Sequence, residues 1–292
     1  MPGKLDRLQL SFAALNAVAA LVAGILVFTD TREILGVPLW MKPFKFFVST
    51  VLMSLSLAYI IPRIEKAKRL VQIASKVIVI AFGIELALIS WAAASETTSH
   101  FNVSSPLAIS VWTAMAGFIT AVWVATILLT IFFLRYGAEQ PVMKRAISWG
   151  MGISIIGMGV AFLMTGPTSA QLADWQGIAG AHTVGAADGG PGLPLFGWST
   201  IAGDLRIPHF FGLHALQALP LFALVLRGSV SKLSVDLFGV GYTVVIALLT
   251  AQALAQQSIV DTPTWMTAVM IAALVAPIVL ALIKKPEATK SI

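Results

Sequence analysis

The chain has no cysteine. That absence excludes disulfides, iron–sulfur clusters, thiolate-ligated or covalently attached haem, and cysteine nucleophiles. Any cofactor would have to be held by His, carboxylate, Met, Tyr or backbone groups. Charge is scarce too. Only 11% of the residues are Asp, Glu, Lys or Arg, against about 25% in soluble domains. Histidine occurs four times in 292 residues, at 100, 182, 209 and 214.

What is present is apolar. Hydrophobic residues make up 58% of the chain and the mean hydropathy is +0.90, which predicts an all-α integral membrane protein in a lipid bilayer. About eight stretches are long enough to span: residues 8–28, 44–63, 72–95, 107–134, 145–166, 208–227, 236–257 and 264–284. The first is too long for the core of a cleaved signal peptide and is expected to stay as a signal anchor.

The isoelectric point of 9.7 does not indicate nucleic acid, because the basic residues sit in short loops beside spans. Lys4, Arg7, Arg63, Lys66, Lys68, Arg69, Lys76, Arg135, Lys144, Arg145, Arg227, Lys232, Lys284, Lys285 and Lys290 fall on one side. Arg32, Lys42, Lys45 and Arg206 fall on the other. A division of 15 against 4 predicts a multi-pass protein of the cell (inner) membrane with both termini cytoplasmic. All four histidines then face the outside or periplasm, which points to a single outer-face site.

Two outer connections exceed simple turns. Residues 29–43 read as an interfacial segment with Trp40 at headgroup depth. Residues 166–208 are rich in Gly and Pro, and the aromatic residues Trp175, Phe196 and Trp198 argue for a folded lid over a free tail.

Spans two and six look related. An offset of 164 aligns Lys42 with Arg206, Lys45 with His209, Phe46-Phe47 with Phe210-Phe211, and Arg63 with Arg227. An offset of 157 aligns Val103-Ser104-Ser105-Pro106 with Val260-Asp261-Thr262-Pro263. The expectation is two tandem four-helix halves, 1–140 and 141–292, related by an axis along the membrane normal.

Glu85 and His214 lead the candidates for chemistry. Glu85 is the one acid placed deep in a span, where a lone carboxylate is costly and must be protonated or paired; Lys45, His214 or a bound cation are the expected partners. His214 lies about 9 Å along its helix from Pro208. Gly212 and Ala215 beside it are small enough to admit a bulky partner or a macrocycle, and Gln217, one turn on, is placed to orient its ring. His209 is about 140° around the helix from His214, so the two do not share a face. His100 would stand about four turns above Glu85 if span three continued, where it could meet His209 or His182. The Asp188 run reads as turn chemistry, and Asp204 with Arg206 as a fixture of the helix start. The small residues of span five (Ser148, Gly150, Gly152, Ser154, Gly157, Gly159) suit close helix packing.

The strings GDLRIPHFFGLHALQALPL, SHFN and HTVGAADGGPGLP resemble a family of bacterial polytopic membrane proteins, a resemblance that brings no activity with it. The layout of two four-span halves with outer-face histidines is similar to heme A synthase. Those enzymes carry histidine pairs in both halves, whereas here the second half has His209 and His214 and the first only His100.

The leading expectation is a membrane redox protein or enzyme acting on a small or lipophilic substrate. Its metal ion (Cu, Fe or Zn) would draw ligands from Glu85, His100, His182, His209 and His214; its alternative cofactor, a b-type haem, would take two histidines, with Gln217 supporting the cofactor site. Two other readings stand: a proton-coupled small-solute transporter with Glu85 as the proton carrier, and a non-catalytic subunit of a membrane complex. Oligomerisation is left open.

Overall fold

The computed structural model describes residues 5–283. Lys4, Lys284, Lys285 and Lys290 of the charge argument lie outside the described residues. Within them, eight helices are long and apolar enough to cross a membrane: α1 (Arg7–Thr29), α2 (Met41–Ile60, extended by a tight turn to Arg63), α3 (Lys68–Ala94), α4 (Pro106–Tyr136), α5 (Pro141–Val160), α7 (Arg206–Val225), α8 (Lys232–Leu254) and α9 (Thr264–Ile283). A short helix, α6 (Ser169–Ala173), lies in the long connection between α5 and α7. The fold is an all-α polytopic membrane protein.

Local signals set the helix starts. Asp6 accepts from the Gln9 amide at 3.0 Å to cap α1, and Ser105 accepts from the Ala108 amide at 3.2 Å to cap α4. Pro106 and Pro141 occupy first-turn positions, where no backbone N–H is needed. Ser231 and Ser234 form a reciprocal cap on α8. Large apolar side chains such as Leu15, Leu21, Ile25, Ile271 and Leu282 stay exposed on the outside of the bundle. Lipid, unlike water, accepts such a surface.

The packing order is the same in the first four spanning helices and in the last four. α1 packs most closely on α2 and α3 on α4; likewise α5 packs most closely on α7 and α8 on α9. The two sets meet where α4 lies against α5 and α2 against α7. One apolar core runs across the boundary near residue 140, joining Leu57, Ile78, Leu129 and Met151 with Leu216.

The tightest seam is α5 against α7. Gly157 and Gly212 face each other, and a Cβ on either would collide with the other's backbone. Gly150 is pressed in the same way against Ala215 and Leu216. Small residues let these backbones approach closely. Gly212 and Ala215 are therefore filled by α5, and the expected room for a macrocycle beside His214 is not there.

The connections at one end of the bundle are structured. Between α1 and α2, β1 (Glu33–Ile34) and β2 (Val37–Pro38) form a small hairpin. Its turn residues, Leu35 and Gly36, have φ of 52° and 73°, as a tight hairpin turn requires. The long segment before α7 folds over the helix ends. Its strand β3 (Thr183–Val184) pairs with β4 (Gly203–Asp204). Val103 N–H donates to Gly177 O at 2.8 Å and Ala179 N–H to Phe101 O at 2.8 Å. Ser258 Oγ donates to Ser199 O at 3.1 Å. These bonds tie the segment to the α3–α4 and α8–α9 connections, so it forms a cap, and its side of the bundle is called the lid end below.

Candidate functional site

Glu85 lies in the lid-end half of α3, about 14 Å along the axis from Ala94 at 1.5 Å per residue. Its side chain is almost wholly buried, at 2% relative exposure. α3 stops at Ala94, within one residue of the end expected for span three, so the helix does not continue to His100. The chain leaves through Glu96 (φ 55°) and Phe101 (φ 64°), two non-glycine residues in the left-handed region. This reversal carries His100 back against the helix, and its Nε2 lies 3.8 Å from Glu85 Oε1. Four turns of expected separation become a contact. The partner of Glu85 is thus His100, not Lys45 or His214. Glu85 Oε2 is buried and has no hydrogen-bond partner among the described residues.

His100 has neighbours on every side. Its Nδ1 is 2.9 Å from Ser99 Oγ and 3.1 Å from Lys42 Nζ. Its ring packs against Trp112 at 5.5 Å, Phe46 at 6.1 Å and Phe101 at 6.0 Å between centroids. Burial, followed by the charges of Lys42 and His182, holds its basicity well below the ordinary histidine range. Nδ1, facing a lysine ammonium, acts as acceptor, which leaves the proton on Nε2, the nitrogen nearest Glu85. The neutral ring therefore links an ammonium on α2 to a carboxyl on α3.

His182 belongs to the cap. Its Nδ1 is 2.9 Å from Asp188 Oδ2, and the same carboxylate accepts from the His182 and Thr183 backbone amides at 2.9–3.1 Å. Burial would raise the Asp188 carboxyl, but the hydrogen bond and charge of His182, with the two amides, hold it far below the usual range. Burial lowers His182 itself, with the Asp188 hydrogen bond opposing and the charges of Lys42 and Arg206 adding to the fall. The His182 ring stacks edge-on with Phe101 at 4.9 Å, so Phe101 separates it from His100.

The remaining two histidines stand apart from Glu85. His209 Nδ1 is 2.8 Å from Gly157 O. His214 Nδ1 is 3.0 Å from Gln217 Oε1, and Gln217 Nε2 donates to Ser56 Oγ at 2.9 Å. Gln217 thus orients the His214 ring, through a chain that ends on α2. No contact joins His214 to Glu85. Among the described residues, no group of three or more His, Asp or Glu side chains is placed to hold a metal ion, so Glu85, His100, His182, His209 and His214 do not form one coordination shell.

Lys42 is the neighbour of Glu85 and His100 that sequence reasoning left out, and Lys45, expected to pair with Glu85, bonds to the cap instead. They lie one turn apart at the start of α2. Lys45 Nζ donates to Phe196 O of the cap at 3.0 Å. Arg206, by contrast, forks onto Asp204 at 2.6–3.2 Å and donates to Gly197 O, which fixes the start of α7 as expected. The readable signal was the alignment of Lys42 with Arg206 and of Lys45 with His209. Comparison with protein-family models, curated proteins and solved structures finds no match.

Proposed function

We propose that this protein is a proton-coupled membrane carrier of a small solute, with Glu85 as its proton-exchange group. The observation that carries this reading is the buried carboxyl on a spanning helix, with a neutral histidine at 3.8 Å and one oxygen unpartnered. Intramembrane acids of this kind mark proton and ion pathways. His100 is the proton's route between Glu85 and the lid end. Protonation turns the Glu85 carboxylate into a neutral acid, which withdraws the counter-charge from Lys42. The cap, tied to the α3–α4 and α8–α9 connections, controls access. On the charge argument this end faces outside.

The test is proton movement into liposomes that hold the purified protein and a trapped pH dye. An imposed solute gradient is expected to drive proton entry in wild type and not in Glu85→Gln. Equal proton entry in both would remove the proposal.

A second reading, a histidine-bound redox cofactor, draws support from one feature. His182, His209 and His214 each engage Nδ1 with an oxygen acceptor, which leaves Nε2 as the free lone pair, the usual preparation of a ligand. A Soret band in protein purified after haem supplementation, lost in His214→Ala or His209→Ala, would select it. The close packing of Gly212 and Ala215 on α5 counts against it.

A further inference from the structure

The cations at the lid end are not equally satisfied. Arg32 bonds to Asp30 and Glu96 at 2.7–2.9 Å, and Arg206 to Asp204 at 2.6 Å. Lys42 and Lys45 have no carboxylate within 4.0 Å among the described residues. Each ammonium has three N–H donors, and each has one neutral acceptor: His100 Nδ1 at 3.1 Å for Lys42, and Phe196 O at 3.0 Å for Lys45. Both side chains are partly buried. A cation held out of water without a partner is costly, and the cost is met when an anion arrives.

Charged neighbours fit the same reading. Lys42 lies in the field of Glu85, Lys45, Arg206 and Asp188, and Lys45 in that of Arg206 and Asp204. Glu85 faces Lys42 and His100; His100 also feels His182. Asp204 and Asp188 are already committed to Arg206 and to His182. Among the described residues, Glu85 is the nearby carboxyl not committed to another cation, and it acts on Lys42 through its field across the His100 ring.

Aromatic rings lie beside both lysines. Phe46 lies 6.0 Å under the Lys42 ammonium. Phe196 stacks on Trp198 at 4.4 Å and meets Phe210 edge-on at 5.8 Å. Ammonium groups with aromatic neighbours suit an anion with an apolar body.

We infer that the solute is a small monocarboxylate with an apolar body, bound by Lys42 and Lys45 in place of Phe196 O, and admitted when Glu85 is protonated. This inference rests on the carrier reading and names its cargo. Ionised Glu85 balances the Lys42 charge across the His100 ring, so the anion is released; protonated Glu85 leaves that charge unbalanced, so the anion binds. One proton and one anion then move together.

The experiment measures binding to the purified full chain by calorimetry at pH 6 and pH 8, with benzoate and isobutyrate as probes and benzylamine and benzamide as cationic and neutral controls. Both carboxylates stay ionised over that range. At least one carboxylate is expected to bind, more tightly at pH 6, and neither control to bind. Lys42→Gln and Lys45→Gln should each weaken it about tenfold or more, as loss of a charge-assisted hydrogen bond does. Glu85→Gln should bind it equally at both pH values. Far-ultraviolet circular dichroism confirms that each variant is folded; Lys45→Arg, which keeps the charge, should bind more tightly than Lys45→Gln. Binding of neither carboxylate, binding indifferent to both lysines, or binding of benzylamine overturns the inference. Benzylamine-driven proton entry that needs Glu85 would leave the carrier reading standing, whereas carboxylate binding without proton entry would remove the carrier and keep the anion site.

Discussion

His100 Nε2 stands 3.8 Å from Glu85 Oε1, although the helix that carries Glu85 ends at Ala94. The spacing is too long for a direct hydrogen bond, and because the ring is neutral the contact is dipolar and not an ion pair. Ser99 and Lys42 on the opposite side of the ring fix its orientation. The imidazole is thus held between an ammonium and a carboxyl that would otherwise face each other.

Replacing His100 with Phe should keep the packing on Trp112 and Phe46 while removing both ring nitrogens. Lys42 loses its acceptor, so we expect destabilisation of about 1–3 kcal/mol, read as a lower midpoint in detergent thermal unfolding. The distinguishing readout is the protonated-carboxyl stretch in infrared difference spectra, which Glu85→Gln should abolish. In His100→Phe its titration midpoint should move. A fixed midpoint would show that His100 serves packing alone.

The α5–α7 seam gives a paired prediction. Gly157→Ala puts a methyl group into the Gly212 backbone, so overpacking should cost about 1–3 kcal/mol. Gly152 lies on the same helix, with nothing within 4 Å of the position its Cβ would take. Gly152→Ala should be neutral or stabilising by up to about 1 kcal/mol, because alanine favours the helix. Thermal unfolding of the two proteins side by side checks this; equal effects would mean that the seam is looser than described.

Much of the bundle could be read from apolar run length, because lipid demands it. The errors at helix starts share one cause. Spans were expected from residues 44, 72, 145 and 236, but the helices begin at Met41, Lys68, Pro141 and Lys232. In each case the first turn carries Lys or Arg, which hydropathy counts as loop while the backbone is already helical. The His214–Gln217 pair was legible because it lies within one turn of one helix. The His100–Glu85 contact was not, because the reversal after α3 is built on Glu96 and Phe101, and no glycine announces it. Lys42 entered only as an orientation charge and a repeat position, for a similar reason: a lysine at a span end reads as an orientation signal, and only the fold reveals that no carboxylate among the described residues pairs with it.

At the end away from the lid, Glu139 joins two helices. It accepts from Arg63 Nε at 2.6 Å and from Tyr59 OH at 2.7 Å, while the Arg63 guanidinium lies 3.3 Å over the Tyr59 ring. Burial would raise the Glu139 carboxyl, but the Gln140 amide, Tyr59 and Arg63 together hold it below its usual range. Its folded-state affinity for protons is thus lower than the unfolded one, so this lock contributes above the ordinary carboxylate range and weakens as pH falls through it. Glu139→Ala leaves Arg63 partly buried without its carboxylate and should lower stability by about 1–3 kcal/mol at pH 7. The deficit should shrink towards pH 4, and a deficit independent of pH would locate the effect in packing.

The cap should loosen in mild acid. Burial lowers His182 below the ordinary histidine range, more than Asp188 restores it. The open cap therefore takes up a proton more readily than the closed one. Closure is fully supported above about pH 6.5, the free histidine value, and loses support as pH falls towards the lowered folded value. Asp188 is held far below its usual range, so it stays ionised across this window and the change follows His182. Hydrogen exchange of residues 178–190, corrected for the intrinsic pH dependence, should rise between pH 7.5 and pH 5.5. His182→Phe should flatten that rise. Asp188→Asn should raise exchange of the His182 and Thr183 amides at every pH, by about tenfold or more for the weakened bonds, and should steepen the acid response because His182 loses its one supporting carboxylate. A wild-type profile that is flat with pH would show that closure is indifferent to His182, and would assign the hold on the cap to its backbone bonds with the α3–α4 connection.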